Sequence, residues 1–344
     1  MPNPLCVAVV GVGHLGSRHA QIYASMPGVR LVAVCDIEAA RAQGVARMLR
    51  CQAVTDYRNL LGQVDAVSLA VPTTLHGAIG RDVLSHGVHV LIEKPISATL
   101  AEAETLIRTA KRHDCILQVG HVERFNAAIH AAIERLRHPR FIEVHRLSPY
   151  PFRPSTHSTR FARSGSSRAE SRGTTGVGRA GVPSKVEARG TDVSVILDVM
   201  IHDLDLILSL VRSRVTRVAA LGVPVLSPSE DIANARLEFA SGCVANLTAS
   251  RISDETIRRI RVFQEDSYLS IDYKDQTVEL AKKQGHSIHR VHLPVNRRPP
   301  LQEELAAFVR SVKTRRPPAV SGEDGRAALA LALRIEKAMR QRKQ

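Results

Sequence analysis

Two short stretches carry charge where a soluble core would not place it. In VLIEKPIS, Val90 to Ser97, an apolar run ends in Glu93, Lys94 and Pro95. Proline donates nothing to a sheet ladder, so the strand stops there. Lys94 then stands at the carboxyl end of a strand, where open α/β sheets place their ligands. In SVILDVMIHDLDLILSLV, Ser194 to Val211, the polar residues Asp198, His202, Asp205 and Ser209 recur at i, i+4, i+7 and i+11. The rest of that helix is apolar almost all round, which marks it as buried. A polar stripe on a buried helix must find partners or face a wet cleft. At helical spacing Asp198 touches His202, orients its imidazole and raises its basicity. An imidazole that takes a proton, with an ammonium facing the same oxygen, is the equipment for deprotonating a hydroxyl. Lys94, His202 and Asp198 are therefore the expected catalytic residues; the competing reading is a satisfied structural His–Asp pair. His202 has no histidine or cysteine companion at ligand spacing, so no metal is expected.

The elements that must position these groups begin at CVAVVGVGHLGSRHA. A strand over Leu5 to Val10 runs into Gly11, Gly13 and Gly16, spaced G-x-G-x-x-G, with His14 and Leu15 between the last two, and then into a helix. The glycines serve a tight turn, close approach to a pyrophosphate and close helix packing, and the helix N-terminus offers free N–H groups. The next strand, Leu31 to Val34, ends at Asp36, placed to accept from a ribose 2′-hydroxyl. Ile37 and Glu38 follow with no arginine for a 2′-phosphate, so NAD is expected over NADP. Further strands at Val64 to Val71, Val88 to Ile92 and Cys115 to Val119 alternate with helices at Ile79 to His86 and from the Thr99–Glu102 capping box to about His113. This is a doubly wound parallel sheet. Val71, Pro72, Thr73 and His76 of the VPTTLH turn, Glu93, Lys94 and His121 lie at or just beyond its strand ends and join the expected cofactor site.

At 344 residues the chain is too long for one ordinary core. None of its 5 cysteines forms a C-x-x-C pair, and the early apolar run Leu5 to Val12 is too short to cross a membrane. A cytoplasmic protein with small buried thiols is expected. The net charge of +15 raises nucleic acid as a partner, but aromatics make up only 3% and stacking platforms are scarce. Nucleic-acid binding is therefore not expected. After Val211, hairpins at Ala235 to Phe239 with Val244 to Ala249, then Ile257 to Gln264, Tyr268 to Tyr273 and Thr277 to Leu280, build a largely antiparallel open sheet in an α+β domain. The expected division is a Rossmann domain over 1–122, a substrate and oligomerisation domain over 123–300, and closing helices over 301–344.

GVGHLG, Asp36, VPTTLH and EKP in this order resemble the Gfo/Idh/MocA oxidoreductase family, over nearly the whole chain. The resemblance implies that Lys94 contacts substrate and nicotinamide, that the peptide before Pro95 is often cis, and that Asp198 and His202 match the family's D-x-x-x-H. It also implies that the free face of the second sheet pairs subunits into a homodimer or homotetramer. HVERFN, RGTDVSVILDVMIHDLDLIL and EDSYLSIDY resemble most the branch that oxidises UDP-N-acetylglucosamine at C3, whose 3-keto product is aminated on the way to lipid A. Arg124, Asn126, Arg189 and Asp205 are the expected substrate contacts, with Arg124, Arg153 and Arg189 toward the pyrophosphate. The reading is an NAD-dependent dehydrogenase of a sugar or sugar nucleotide. A dehydrogenase of inositol or a free aldose, and an NAD-binding regulator without turnover, are the alternatives.

From Ser155 to Ala188 the chain has no hydrophobic period and is rich in serine, glycine and arginine, which reads as a disordered insertion. A tolerated surface insertion is expected over a lid on an anionic substrate. Deleting it should leave the sugar KM unchanged in steady-state assays; a raised KM would establish the lid.

Overall fold

The computed structural model describes residues 3–150 and 194–342. The insertion, Arg153 and Arg189 lie outside the described residues. Short runs of Val, Ile, Leu and Ala, apolar on both faces, form buried parallel strands. These are β1 (Leu5–Val10), β2 (Val29–Cys35), β3 (Gln52–Val54), β4 (Ala66–Leu69), β5 (His89–Glu93) and β6 (Leu117–Gly120). They pair in the order β3-β2-β1-β4-β5-β6. The order reverses between β1 and β4, which opens a crevice at their carboxyl ends. The connecting helices are α1 (His14–Ser25), α2 (Ala39–Leu49), α3 (Thr73–Ser85) and α4 (Leu100–Arg112). The expected capping box starts α4: Glu102 N–H donates to Thr99 Oγ1 and Thr99 N–H to the Glu102 carboxylate.

Two elements differ from the sequence reading. The helix expected from Ile79 begins at Thr73, because Pro72 takes the N-cap position and the segment read as a turn is its first turn. Helix α2 and strand β3 were not anticipated. Helix α2 buries only the small Ala42 and Ala46, so it has no marked apolar stripe.

The second domain holds α5 (Ala127–Ile133), β7 (Phe141–Leu147), a π-type turn over Ile196–Met200 and α6 (Ile201–Val211). Then come β8 (Val215–Val223), β9 (Ile232–Phe239), β10 (Val244–Ser250), β11 (Ile257–Phe263), β12 (Ser267–Asp272), β13 (Thr277–Gln284) and β14 (Ser287–His292). The sheet order is β14-β13-β12-β11-β7-β10-β9-β8. All neighbours are antiparallel except β7 with β10. One face packs on α6 through an apolar cluster that includes Ile142, Val144, Leu204, Ile207 and Leu247.

Helices α7 (Pro300–Thr314) and α8 (Gly322–Arg342) close the chain. Leu305, Phe308, Val309 and Val312 of α7 pack with Val9 and Tyr23 of the first domain. On α8, Leu329 belongs to the first core, whereas Leu331, Ala332, Ile335 and Met339 belong to the second. One rigid rod thus fixes how the two domains face each other. Phe308 is fully buried. Phe308→Ala should lower unfolding stability by about 3–5 kcal/mol in denaturant titrations.

Candidate active site

The dinucleotide cradle is built from backbone. Gly11 has φ +84°, and a Cβ there would lie 2.5 Å from the Ala70 carbonyl oxygen. A Cβ on Gly16 would lie 1.8 Å from the Gly11 carbonyl oxygen, so only glycine lets α1 start this close to the β1 turn. The first turn of α1, with Gly13 as N-cap followed by His14 and Leu15, has no side-chain cap and no acidic residue. Its N–H groups and positive dipole end are left for a phosphate. The Asp36 carboxylate is pinned at the end of β2, accepting from Val12 N–H at 3.0 Å and Glu38 N–H at 3.0 Å. These features fit a dinucleotide with its ribose hydroxyls on Asp36.

The sequence reading found no arginine at the ribose. The structure corrects that: Arg41, on the first turn of α2, reaches back to both Asp36 oxygens at 3.1 and 3.2 Å and to Glu38 at 2.6 Å. It escaped notice because α2 itself was not anticipated.

His76 is also placed differently. It is buried, with Nδ1 2.8 Å from the Pro95 carbonyl oxygen and Nε2 3.0 Å from that of Val71. Burial lowers its pKa against the raising effect of those carbonyls. A neutral imidazole donates to one of these two carbonyls at a time, and His76 lies between the β4 and β5 strand ends; Val71, Pro72 and Thr73 carry the same junction into α3. The Lys94–Pro95 peptide is cis.

Where the crevice meets α6, a cavity of about 560 Å³ is lined by Lys94, His202, Glu93, Arg146, Arg258 and Lys274, with Leu15 and Arg18 from the dinucleotide side. Lys94 and His202, from different domains, therefore address one space. Lys94 Nζ donates to the Asp198 carbonyl oxygen at 2.5 Å and to its carboxylate at 3.2 Å. Asp198 does not orient His202 as expected. It sits in the π-type turn, whose wider spacing breaks the assumed α-helical stacking, and its carboxylate serves Lys94 instead.

The His202 Nδ1 is buried with no hydrogen-bond partner among the described residues, leaving Nε2 as the accessible nitrogen. Burial first, then the nearby Lys94, Arg146, His121 and Arg258, hold its pKa well below the ordinary histidine value. It is a neutral imidazole at neutral pH. His121 packs edge-on against it with ring centroids 6.2 Å apart. Burial lowers the His121 pKa as well.

The expected substrate contacts Arg124, Asn126 and Asp205 are engaged by partners within the protein. Arg124 forms a forked pair with Asp205 at 2.7 and 2.9 Å, outside the catalytic cavity. Asn126 borders the cavity but is nearly inaccessible; its Nδ2 donates to the Tyr273 carbonyl oxygen and its Oδ1 accepts from Ala128 N–H. The groups that replace them were missed. Arg146 is buried and paired with Asp203 at 2.9 Å and Glu123 at 3.1 Å. Burial opposes its charge, and Asp203, Tyr273 and Glu123 outweigh that and hold it well above its ordinary value. The Asp203 carboxyl, pushed up by burial and pulled down by Arg146, also accepts from the Tyr273 hydroxyl at 2.8 Å. A signal existed: in FIEVHRL, Arg146 takes the same alternating phase as the buried Ile142 and Val144.

Residues 5–121 match the oxidoreductase family, NAD-binding Rossmann fold, of GFO/IDH/MocA, and residues 156–270 match the GFO/IDH/MocA C-terminal domain. A UDP-N-acetylglucosamine 3-dehydrogenase of Acidithiobacillus ferrooxidans is 34% identical over 342 residues, 96% of each chain. The chain belongs to the Gfo/Idh/MocA oxidoreductase family. The solved structure of that relative matches with a TM-score of 0.82 over 97% of both chains. A myo-inositol 2-dehydrogenase of Thermotoga maritima is 27% identical over 351 aligned positions, 98% of this chain and 97% of that one. Like its relatives, this family member is an oxidoreductase with an NAD-binding Rossmann domain. No helix among the described residues is long and apolar enough to cross a membrane.

Arg41 is the cation nearest the ribose carboxylate, so Arg41→Ala should lower kcat/KM for NADP and spare NAD. The NAD-to-NADP ratio should rise about tenfold, the worth of one charge-assisted hydrogen bond. Steady-state assays with both cofactors read it directly.

Proposed function

We propose that this chain is an NAD-dependent dehydrogenase of a sugar nucleotide, oxidising UDP-N-acetylglucosamine at C3 to the 3-keto sugar. The observation that carries this is the charge of the cavity. Arg18, Lys94, Arg146, Arg258 and Lys274 line it, and its carboxylates Glu93 and Glu123 face His19, Arg146 and Arg258. Arg258 and Lys274 are exposed at neighbouring strand ends, where a diphosphate can reach them. Lys94, Arg146 and Arg258 have carboxylate partners within the protein, whereas Arg18 and Lys274 have none among the described residues, and a neutral cyclitol would supply none. The 34% identical relative named for this reaction supports the same substrate. The outward face of the second sheet, where Leu221, Val223 and Ile288 are exposed, suits pairing of subunits.

When bound, the nicotinamide ring supplies the hydride acceptor. Gly11, Gly16 and the α1 N-terminus hold the pyrophosphate, and Asp36 the ribose. His202 Nε2 takes the proton of the substrate hydroxyl, and its depressed pKa keeps it unprotonated and ready. Lys94, anchored by Asp198, donates to the same oxygen and offsets the charge that develops there. The low-dielectric floor strengthens both contacts.

NADH formation with UDP-N-acetylglucosamine, and none with myo-inositol, tests the substrate. His202→Asn should lower kcat by about 10²–10⁴-fold. Arg258→Ala and Lys274→Ala should each raise the sugar-nucleotide KM about tenfold with kcat little changed. Because the His202 pKa is lowered, its base form persists below the ordinary histidine value. The acid limb of kcat should therefore fall below about pH 6.5; a limb above it would remove His202 as the base.

A further inference from the structure

Beside Lys94, behind the cavity wall that Glu93 helps to form, three ionisable groups from three elements meet in a buried cluster. His19 of α1, Glu93 at the end of β5 and Glu304 of α7 bring their polar atoms within 4.8 Å of one another. His19 and Glu304 are fully buried and Glu93 is 8% exposed. His19 Nε2 lies 3.2 Å from Glu93 Oε1. Neither Glu304 oxygen and neither His19 ring nitrogen has a hydrogen-bond partner among the described residues. Nothing in the hydride chemistry uses them.

Two carboxyl groups this close in a dry site cannot both ionise, because mutual repulsion adds to the loss of solvation. We propose that His19, Glu93 and Glu304 form a buried array that holds one proton between its two carboxyl groups and, through Glu93, sets the position of Lys94. Glu304 is the positioning residue. The link to Lys94 is geometric: Lys94 N–H donates to Glu93 Oε2 at 3.3 Å, and the Glu93 carboxylate lies so close over Gly120 that a Cβ there would meet it at 2.9 Å. Burial first, then the facing carboxylates of Glu93, Glu123 and Asp205, push the Glu304 pKa well above its ordinary range, in keeping with the retained proton. Glu304 is also faced by Tyr23 of α1. Lys94 is faced by Asp198, His202 and His121. On this proposal the proton stays on the array at neutral pH and leaves as the solution turns alkaline, the direction in which burial and the facing carboxylates push Glu304. A second negative charge then appears beside Glu93 and draws the Lys94 segment out of place.

The link to catalysis rests on the role given to Lys94 above; the proton itself does not. Infrared spectra of the enzyme with NAD, without sugar, should show the carbonyl stretch of a neutral carboxylic acid at neutral pH. That band should be absent in Glu304→Gln, which keeps the size of the side chain but has no proton to lose. In turnover, Glu304→Gln should move the alkaline limb of kcat to higher pH with KM for NAD unchanged. Absence of the infrared band, or of a band that Glu304→Gln removes, overturns the array whatever sugar the enzyme takes. Superimposable pH profiles overturn its action on Lys94. Elemental analysis of the purified enzyme should find no metal held here; one equivalent of a divalent metal per chain, lost in Glu304→Gln, would replace the proton by an ion.

Discussion

The ammonium of Lys94 ends one domain and is held by the other. Its bonds to the carbonyl and carboxylate of Asp198 join the carboxyl edge of a parallel sheet to the π-type turn ahead of a buried helix. A flexible four-carbon stem could otherwise sample many rotamers, and a donor that wanders stabilises no developing charge. The wider turn matters because it turns a peptide carbonyl and a carboxylate toward the same nitrogen. His202 follows directly on α6 and shares the cavity.

Around this contact the cleft is a problem in burying charge. Each cation taken from water needs a close partner, or the site would lose the charge. Arg146 answers with Glu123 and Asp203, and Tyr273 closes the fork by donating to Asp203. Arg124 answers with Asp205 on the other side of the same helix. The cost of desolvation is thereby met pair by pair, leaving Arg258 and Lys274 exposed at the mouth and a neutral imidazole inside. The floor is dry enough to depress a histidine, while the rim stays wet enough to admit an anion.

The domains can hold this arrangement because the chain returns after its second sheet. Helix α7 seats apolar side chains beside α1, and α8 runs through both cores. The same return brings Glu304 beside His19 and Glu93, residues more than two hundred positions away. A helix outside the cofactor cradle thus reaches the residue that precedes Lys94.

What the sequence by itself determined was whatever depends on local constraint. Gly11 and Gly16 must be glycine because no Cβ fits, Asp36 ends a strand, Thr99 and Glu102 cap a helix, and Lys94 follows a strand that proline stops. Those features made the parallel sheet, the NAD-binding domain and the lysine that lines the cavity legible before any coordinates, and the alternating strands made the second sheet legible too. Tertiary structure decided every pairing between distant charges. Asp198 was assigned to His202 because α-helical spacing was assumed, and a single wider turn gave it to Lys94. Arg124, Asn126 and Asp205 have the residue types of substrate ligands but are consumed by one another or by backbone. Arg146, Asp203 and Glu304 were overlooked because a charge's partner is set by which elements pack together, and long-range packing leaves no periodic trace in the chain.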